Sequence, residues 1–251
     1  MCTPASASAG RTAAGTVDGD SGAAGMKDYI EAVFAIVRKD ILSEWRTREA
    51  LGSMALFSLL VVVIFGFCFE TQKVDAERLA PGMLWVAFSF SGILGLGHSF
   101  ASERYRGSLQ ALALAPVDRS AIFLGKMIGN LILLSVVEIV TIPVFSILLH
   151  VPVAPVIAPL AVLTFLATIG FTAIGTLLSA LATSSRMREM LLPILLYPIW
   201  IPILLAAVRG TGDILSGKGL AEIGGWLRMI LAFDLIFVTA GLLLFDQILE
   251  E

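Results

Sequence analysis

The chain has 251 residues, 57% hydrophobic and 15% charged, with a mean hydropathy of +0.91. Soluble domains carry about 25% charged residues, so an aqueous globule of this composition would leave apolar surface bare well beyond the usual patch size. A net charge of −3 and a pI of about 5.5 exclude a basic field for nucleic acid, and what remains is an all-α, polytopic membrane protein.

Residues 1–25 are rich in Ala, Gly, Ser and Thr with no apolar periodicity, the composition of a disordered tail. The tail lacks the apolar core of a signal peptide, and one arginine with two aspartates does not make a transit peptide. Organised sequence begins at Met26, a candidate start. Over 26–49, Ile30, Val33, Phe34, Val37, Ile41 and Trp45 recur at helical spacing, opposite Asp28, Glu31, Arg38, Asp40 and Ser43. That pattern predicts an amphipathic helix lying in a membrane interface.

The rest, 50–251, reads as a six-helix transmembrane domain. Apolar segments at about 50–69, 82–101, 122–149, 154–182, 190–208 and 226–249 each reach the ~20 residues that cross a hydrocarbon core. With the N-terminus inside, twelve of the 17 Lys and Arg fall on the cytoplasmic side, including Arg104, Arg106, Arg119, Arg186 and Arg188. The positive-inside bias therefore places both termini in the cytoplasm. Pro193, Pro198 and Pro202 are expected to break the fifth helix repeatedly. Gly125-x-x-x-Gly129 and the pair Gly170/Gly175 offer small faces for close packing, within the bundle or between two copies.

Candidate chemistry is sparse. Gly212 to Gly219 has the glycine and lysine spacing of a P-loop, but Gly219 stands where a magnesium-binding hydroxyl belongs and no strand precedes it. Cys2 and Cys68 provide no metal or disulfide framework. His98 and His150 fall at opposite membrane faces, and Trp45, Trp85, Trp200 and Trp226 are scattered along the chain. No catalytic residue and no metal or cofactor ligand is assigned. Glu138, near the middle of the third span with Ser135 and Thr141 on its side, costs about 2.5–3.5 kcal/mol to insert. Both it and Asp234 of the sixth span are candidate intramembrane polar sites.

The link between the second and third spans carries most information. Glu103 precedes Gly107-Ser108, a turn and a hydroxyl able to cap a short helix through Leu109 and Leu112 that Pro116 ends. Asp118 or Ser120 can then cap the helix that re-enters the membrane. A capped, partly apolar helix of this kind is either a docking surface or a compact re-entry loop.

The run Glu103-x-x-x-Gly107-Ser108-Leu109-x-x-Leu112-x-Leu114-x-Pro116-Val117-x-Arg119-Ser120-x-Ile122-x-x-Gly125-Lys126, preceded by Leu79-Ala-Pro-Gly-Met-Leu-Trp85, resembles the CcmB family. These are the membrane subunits of the cytochrome c maturation ABC transporter, within the broader ABC-2 exporter class. Gln110 departs from the glutamate usual in the family. The resemblance implies an ABC-2 type transmembrane domain that pairs with itself, with a separate ABC ATPase and with a Trp-rich haem-handling membrane protein. It also implies residence in a bacterial inner membrane. ATP is then used by the partner and haem is handled by the complex, in haem delivery or the release of haem-loaded chaperone, with none bound directly by this chain. Glu103, Gly107, Ser108, Leu109, Leu112 and Pro116 become the ATPase-coupling candidates. An ABC-2 permease exporting a lipid, drug or polysaccharide, and a non-transporting membrane scaffold, are the alternative readings.

Overall fold

In hydrocarbon each backbone N–H and C=O must be satisfied within its own segment, which makes long apolar runs helical. The computed structural model describes residues 20–72, 76–105, 118–182 and 188–248. Among the described residues seven α-helices follow one another: α1 (Asp20–Thr47), α2 (Glu49–Gln72), α3 (Ala76–Tyr105), α4 (Arg119–Leu148), α5 (Ile157–Leu181), α6 (Arg188–Leu215) and α7 (Gly224–Ile248). A short 3₁₀ turn at Ala154–Val156 leads into α5. The helices α2 to α7 include six stretches long and apolar enough to span a membrane, the architecture expected from hydropathy.

α3 and α5 are the most enclosed spans, and α2 and α7 turn most of their surface outward. α2 packs chiefly on α3, α5 on α6 and α7, and α4 on α1, α2 and α5. Outward-facing Ile139, Ile147, Leu235 and Leu243 are each about seven-tenths exposed. Such a surface is stable only against lipid or another apolar chain. Inside, Trp85, Phe88, Phe171 and Trp200 form the aromatic centre of the core.

Three details differ from the sequence expectation. α1 begins at Asp20, inside the stretch whose composition reads as a disordered tail; Ala23 and Ala24 are strong helix formers and carry the helix backward. α6 is continuous through Pro193, Pro198 and Pro202. Neighbouring helices and local adjustments re-satisfy the freed carbonyls of a membrane helix, so proline bends it without breaking it. Asp118 occupies the N-cap position of α4, yet its side chain makes no capping bond; the turn is closed by Ala121 N–H donating to the Asp118 carbonyl at 2.9 Å.

The joint between α1 and α2 is tight. Arg48 adopts a positive φ of 56°, and Glu44 Oε1 accepts from Leu51 N–H at 2.8 Å. That carboxylate satisfies one of the free amides in the first turn of α2.

Candidate functional site

α4 is the first helix after the link, and α1 is fastened to its opening turns. The apolar face read from the sequence divides: Val37, with Ile36, is buried, while Ile30, Phe34 and Trp45 remain exposed. The small face of α4 receives this helix. A Cβ on Gly125 would lie 2.8 Å from Ile36 Cγ2, and one on Gly129 3.7 Å from Asp40 Cβ. Lys126, 1% exposed, places its ammonium 2.8 Å from Asp40 Oδ2. Lys39 reaches the other oxygen of that carboxylate at 3.3 Å. The Gly125–Gly129 face is thus occupied within the chain and is not open to a second copy.

From Lys126 a polar seam runs along α4 against α5. Asn130 Nδ2 donates to Thr176 Oγ1 at 3.4 Å, and Thr168 Oγ1 lies 2.6 Å from Glu138 Oε1. These two pairs share one antiparallel register, eight residues forward on α4 matching eight residues back on α5. α5 presents Thr164, Thr168, Thr172 and Thr176 at four-residue spacing, all buried, which places them on one helix face. α2 closes the seam with Ser58, whose hydroxyl is 2.6 Å from Thr141 Oγ1. Glu138 therefore finds its partner on α5. Thr141, expected beside it, bonds Ser58 and the Val137 carbonyl at 2.7 Å, and Ser135 Oγ has no partner among the described residues.

Asp234 sits on the other side of α5. A Cβ on Gly170 would collide with Asp234 Oδ1 and would lie 2.9 Å from Ile203 Cδ1 of α6. The carboxyl is 7% exposed, and Oδ1 has no hydrogen-bond partner among the described residues. Gly175 similarly takes Leu96 of α3. The second small face is also used inside the bundle.

Trp85 and Trp200, far apart in sequence, meet with ring centroids 6.3 Å apart, so the tryptophans are not all scattered. Both are buried in the core, and Trp85 Nε1 donates to Thr211 Oγ1 of α6 at 2.9 Å. That bond seats the Leu79–Trp85 element on α6. The P-loop lookalike resolves as the end of α6 and its turn. Lys218 Nζ binds Asp213 Oδ1 at 2.7 Å, and Trp226 Nε1 donates to Asp213 Oδ2 at 3.0 Å. The hydrogen bond to Asp213 raises the pKa of Lys218.

Glu103 falls in the last turn of α3, whereas Gly107, Ser108, Leu109, Leu112 and Pro116 lie outside the described residues. His98 belongs to the later part of α3 and His150 follows α4, so the bundle keeps them apart. Among the described residues no three His, Cys, Asp or Glu side chains gather as a metal site. Sequence reasoning missed Thr168, Ser58 and the Lys126–Asp40 pair. The repeat of threonines at 164, 168, 172 and 176 was the available signal for the first.

Comparison with known proteins covers this whole arrangement. Residues 31–247 match the CcmB protein family. The chain is 30% identical to heme exporter protein B of Rhodobacter capsulatus over 171 residues, 68% of this chain and 78% of that protein. It is 25% identical to heme exporter protein B of Pseudomonas aeruginosa over 205 residues, 79% and 90% of the two chains. The Haemophilus influenzae protein of the same name is 27% identical over 205 residues, 81% and 90% of the two chains. With six spans, the link pattern at the entry to α4 and a match from α1 to α7, this chain belongs to the CcmB family.

Proposed function

We propose that this chain is the membrane subunit through which a separate ATPase drives a step of c-type cytochrome maturation. Its family makes it a transmembrane component of the haem and cytochrome c maturation ABC transporter. The observation that carries the reading is the family match over 31–247, which includes the link pattern between Glu103 and Lys126. ATP hydrolysis belongs to the partner, which can act on this chain only by binding two of its states differently. The link 103–116 is the proposed contact. It leads directly into α4, and α4 is fastened to α1 through Lys126 and Asp40, so a push on the link reaches two helices together.

The complex pairs two copies of this chain with the ATPase and a Trp-rich membrane protein that holds haem. This chain contributes no haem ligand; haem is delivered, or released on its chaperone, by the assembly. It resides in a bacterial inner membrane with both termini in the cytoplasm, in keeping with the Lys and Arg distribution. The test is deletion of the chain with complementation, reading mature cytochrome c, together with co-purification of the ATPase. Loss of mature cytochrome c and capture of an ATPase are expected. Normal cytochrome c in the deletion strain overturns the reading in favour of an ABC-2 permease for another cargo.

A further inference from the structure

The hydrogen-bond distances in the α4–α5 seam bear on the protonation state of its carboxyl group. Thr168 Oγ1 carries a single hydrogen, yet it lies 2.6 Å from Glu138 Oε1 and 2.8 Å from the Thr164 carbonyl oxygen. Both contacts have hydrogen-bond length, and an ionised carboxylate and a carbonyl are acceptors alone. One of the two would then be an acceptor facing a lone pair. A hydrogen on Glu138 Oε1 resolves the conflict: Oε1–H donates to Thr168 Oγ1, and the threonine donates onward to the Thr164 carbonyl.

The surrounding hydroxyls do not offer another solution. Thr141 donates to the Val137 carbonyl at 2.7 Å, which leaves Ser58 as the donor in its 2.6 Å contact with Thr141. Thr172 Oγ1 is within 2.8 Å of the Thr168 carbonyl and 3.1 Å of the Ile169 carbonyl, adjacent i−4 and i−3 acceptors of its own helix that share one hydrogen, so that hydrogen is also committed; the two acceptors at Thr168 lie on different helices. Among the described residues no ion pair involves Glu138. α5 has no titratable residue, α2 carries Glu49, Cys68 and Glu70, and α3 carries Glu77, Arg78, His98, Glu103, Arg104 and Tyr105, all toward the helix ends and away from the level of Glu138. Asp40 of α1 is engaged by Lys126, about three turns along α4 from Glu138. Asp234 of α7 lies against Gly170, about 200° around α5 from Thr168.

We propose that Glu138 is a proton-binding site built into the α4–α5 seam, holding its proton on Oε1 in this conformation. Loss of the proton turns the Thr168 hydroxyl toward the carboxylate and removes its bond to the Thr164 carbonyl, so the charge state of Glu138 and the hydrogen bonding within α5 change together. This inference concerns the chain itself and does not depend on what the complex transports.

The test is infrared spectroscopy of the full chain in lipid vesicles at neutral pH, with carbon-13 glutamate labelling to separate Glu from Asp. A protonated-carboxyl C=O band that moves with the glutamate label is expected. Glu138→Gln should remove it, and Thr168→Val should keep it but shift it to higher frequency, because the acid loses its acceptor. Asp234→Asn should leave it in place. A labelled spectrum with no protonated-carboxyl band, or one whose band ignores both Glu138→Gln and Thr168→Val, overturns the proposal. If Glu138→Gln fails to accumulate, the wild-type label and Thr168→Val decide the matter between them.

Discussion

Lys126 and Asp40 form a 2.8 Å ion pair in which the lysine side chain is 1% exposed, and this pair joins α1 to α4 just after the link. A buried ammonium tolerates burial only while its partner and hydrogen bonds are present.

Asp40→Ala should therefore destabilise the protein by about 3–5 kcal/mol, the usual cost of removing one partner of a buried ion pair. Thermal unfolding of the detergent-solubilised protein would show it. The double variant Asp40→Leu/Lys126→Met should recover most of the loss, because an apolar pair of similar volume removes the stranded charge. An Asp40→Ala protein as stable as the parent would show that the ion pair does not hold α1 on α4 and that apolar contacts such as Ile36 on Gly125 suffice.

The link offers a test of coupling. Leu109→Asp should abolish association with the ATPase, because an apolar anchor would be replaced by a charge buried without a partner. Glu103→Ala should leave the complex partly assembled but poorly coupled. The measurements are co-purification of the ATPase with each variant and the yield of mature cytochrome c. Full association and full maturation with Leu109→Asp would reduce the link to a re-entry loop.

Topology is checked with reporters. A fusion after Glu251 should report from the cytoplasm, and one at Gly217, in the turn between α6 and α7, from outside. A cytoplasmic reading at Gly217 would contradict the proposed orientation.

Trp85 and Thr211 give a smaller, local prediction. Trp85→Phe and Thr211→Val each break the 2.9 Å bond between α3 and α6, and each leaves or removes one buried polar group. Each variant should lose about 1–2 kcal/mol, with Trp85→Phe the larger because the indole also packs on Phe88 and Trp200. The double variant should lose less than the sum of the two, as expected for groups that share one interaction.

Gly170→Ala should destabilise the bundle by about 1–3 kcal/mol, the usual range for overpacking, since its methyl group would meet Asp234 and Ile203. Asp234→Ala should relieve much of that effect when the two are combined. Additive losses in the double variant would show that the carboxyl is not what fills the space over Gly170.

The six apolar helices, the helix that precedes them and the two carboxyls within them are all legible in the linear sequence. Burying a segment in lipid is a sum of transfer terms along the chain, so segment length and composition suffice for it. Glu138 stands out for the same reason: a carboxyl is costly at that depth whatever lies next to it. Which residue meets it is a different kind of question. Ser135 and Thr141 share its side of α4, yet Thr168, thirty residues on, comes within 2.6 Å. That choice depends on how α4 and α5 are rotated and slid against each other, and hydropathy does not record rotation or register. Gly125 and Gly129 show the same division. Their spacing announces a small face, but only packing could decide that Ile36 and Asp40 of α1 fill it. Lys126 reads in sequence as one more positive residue on the inner side. The bundle makes it a buried partner of Asp40, because the turn at Arg48 folds α1 back along the helix that carries it.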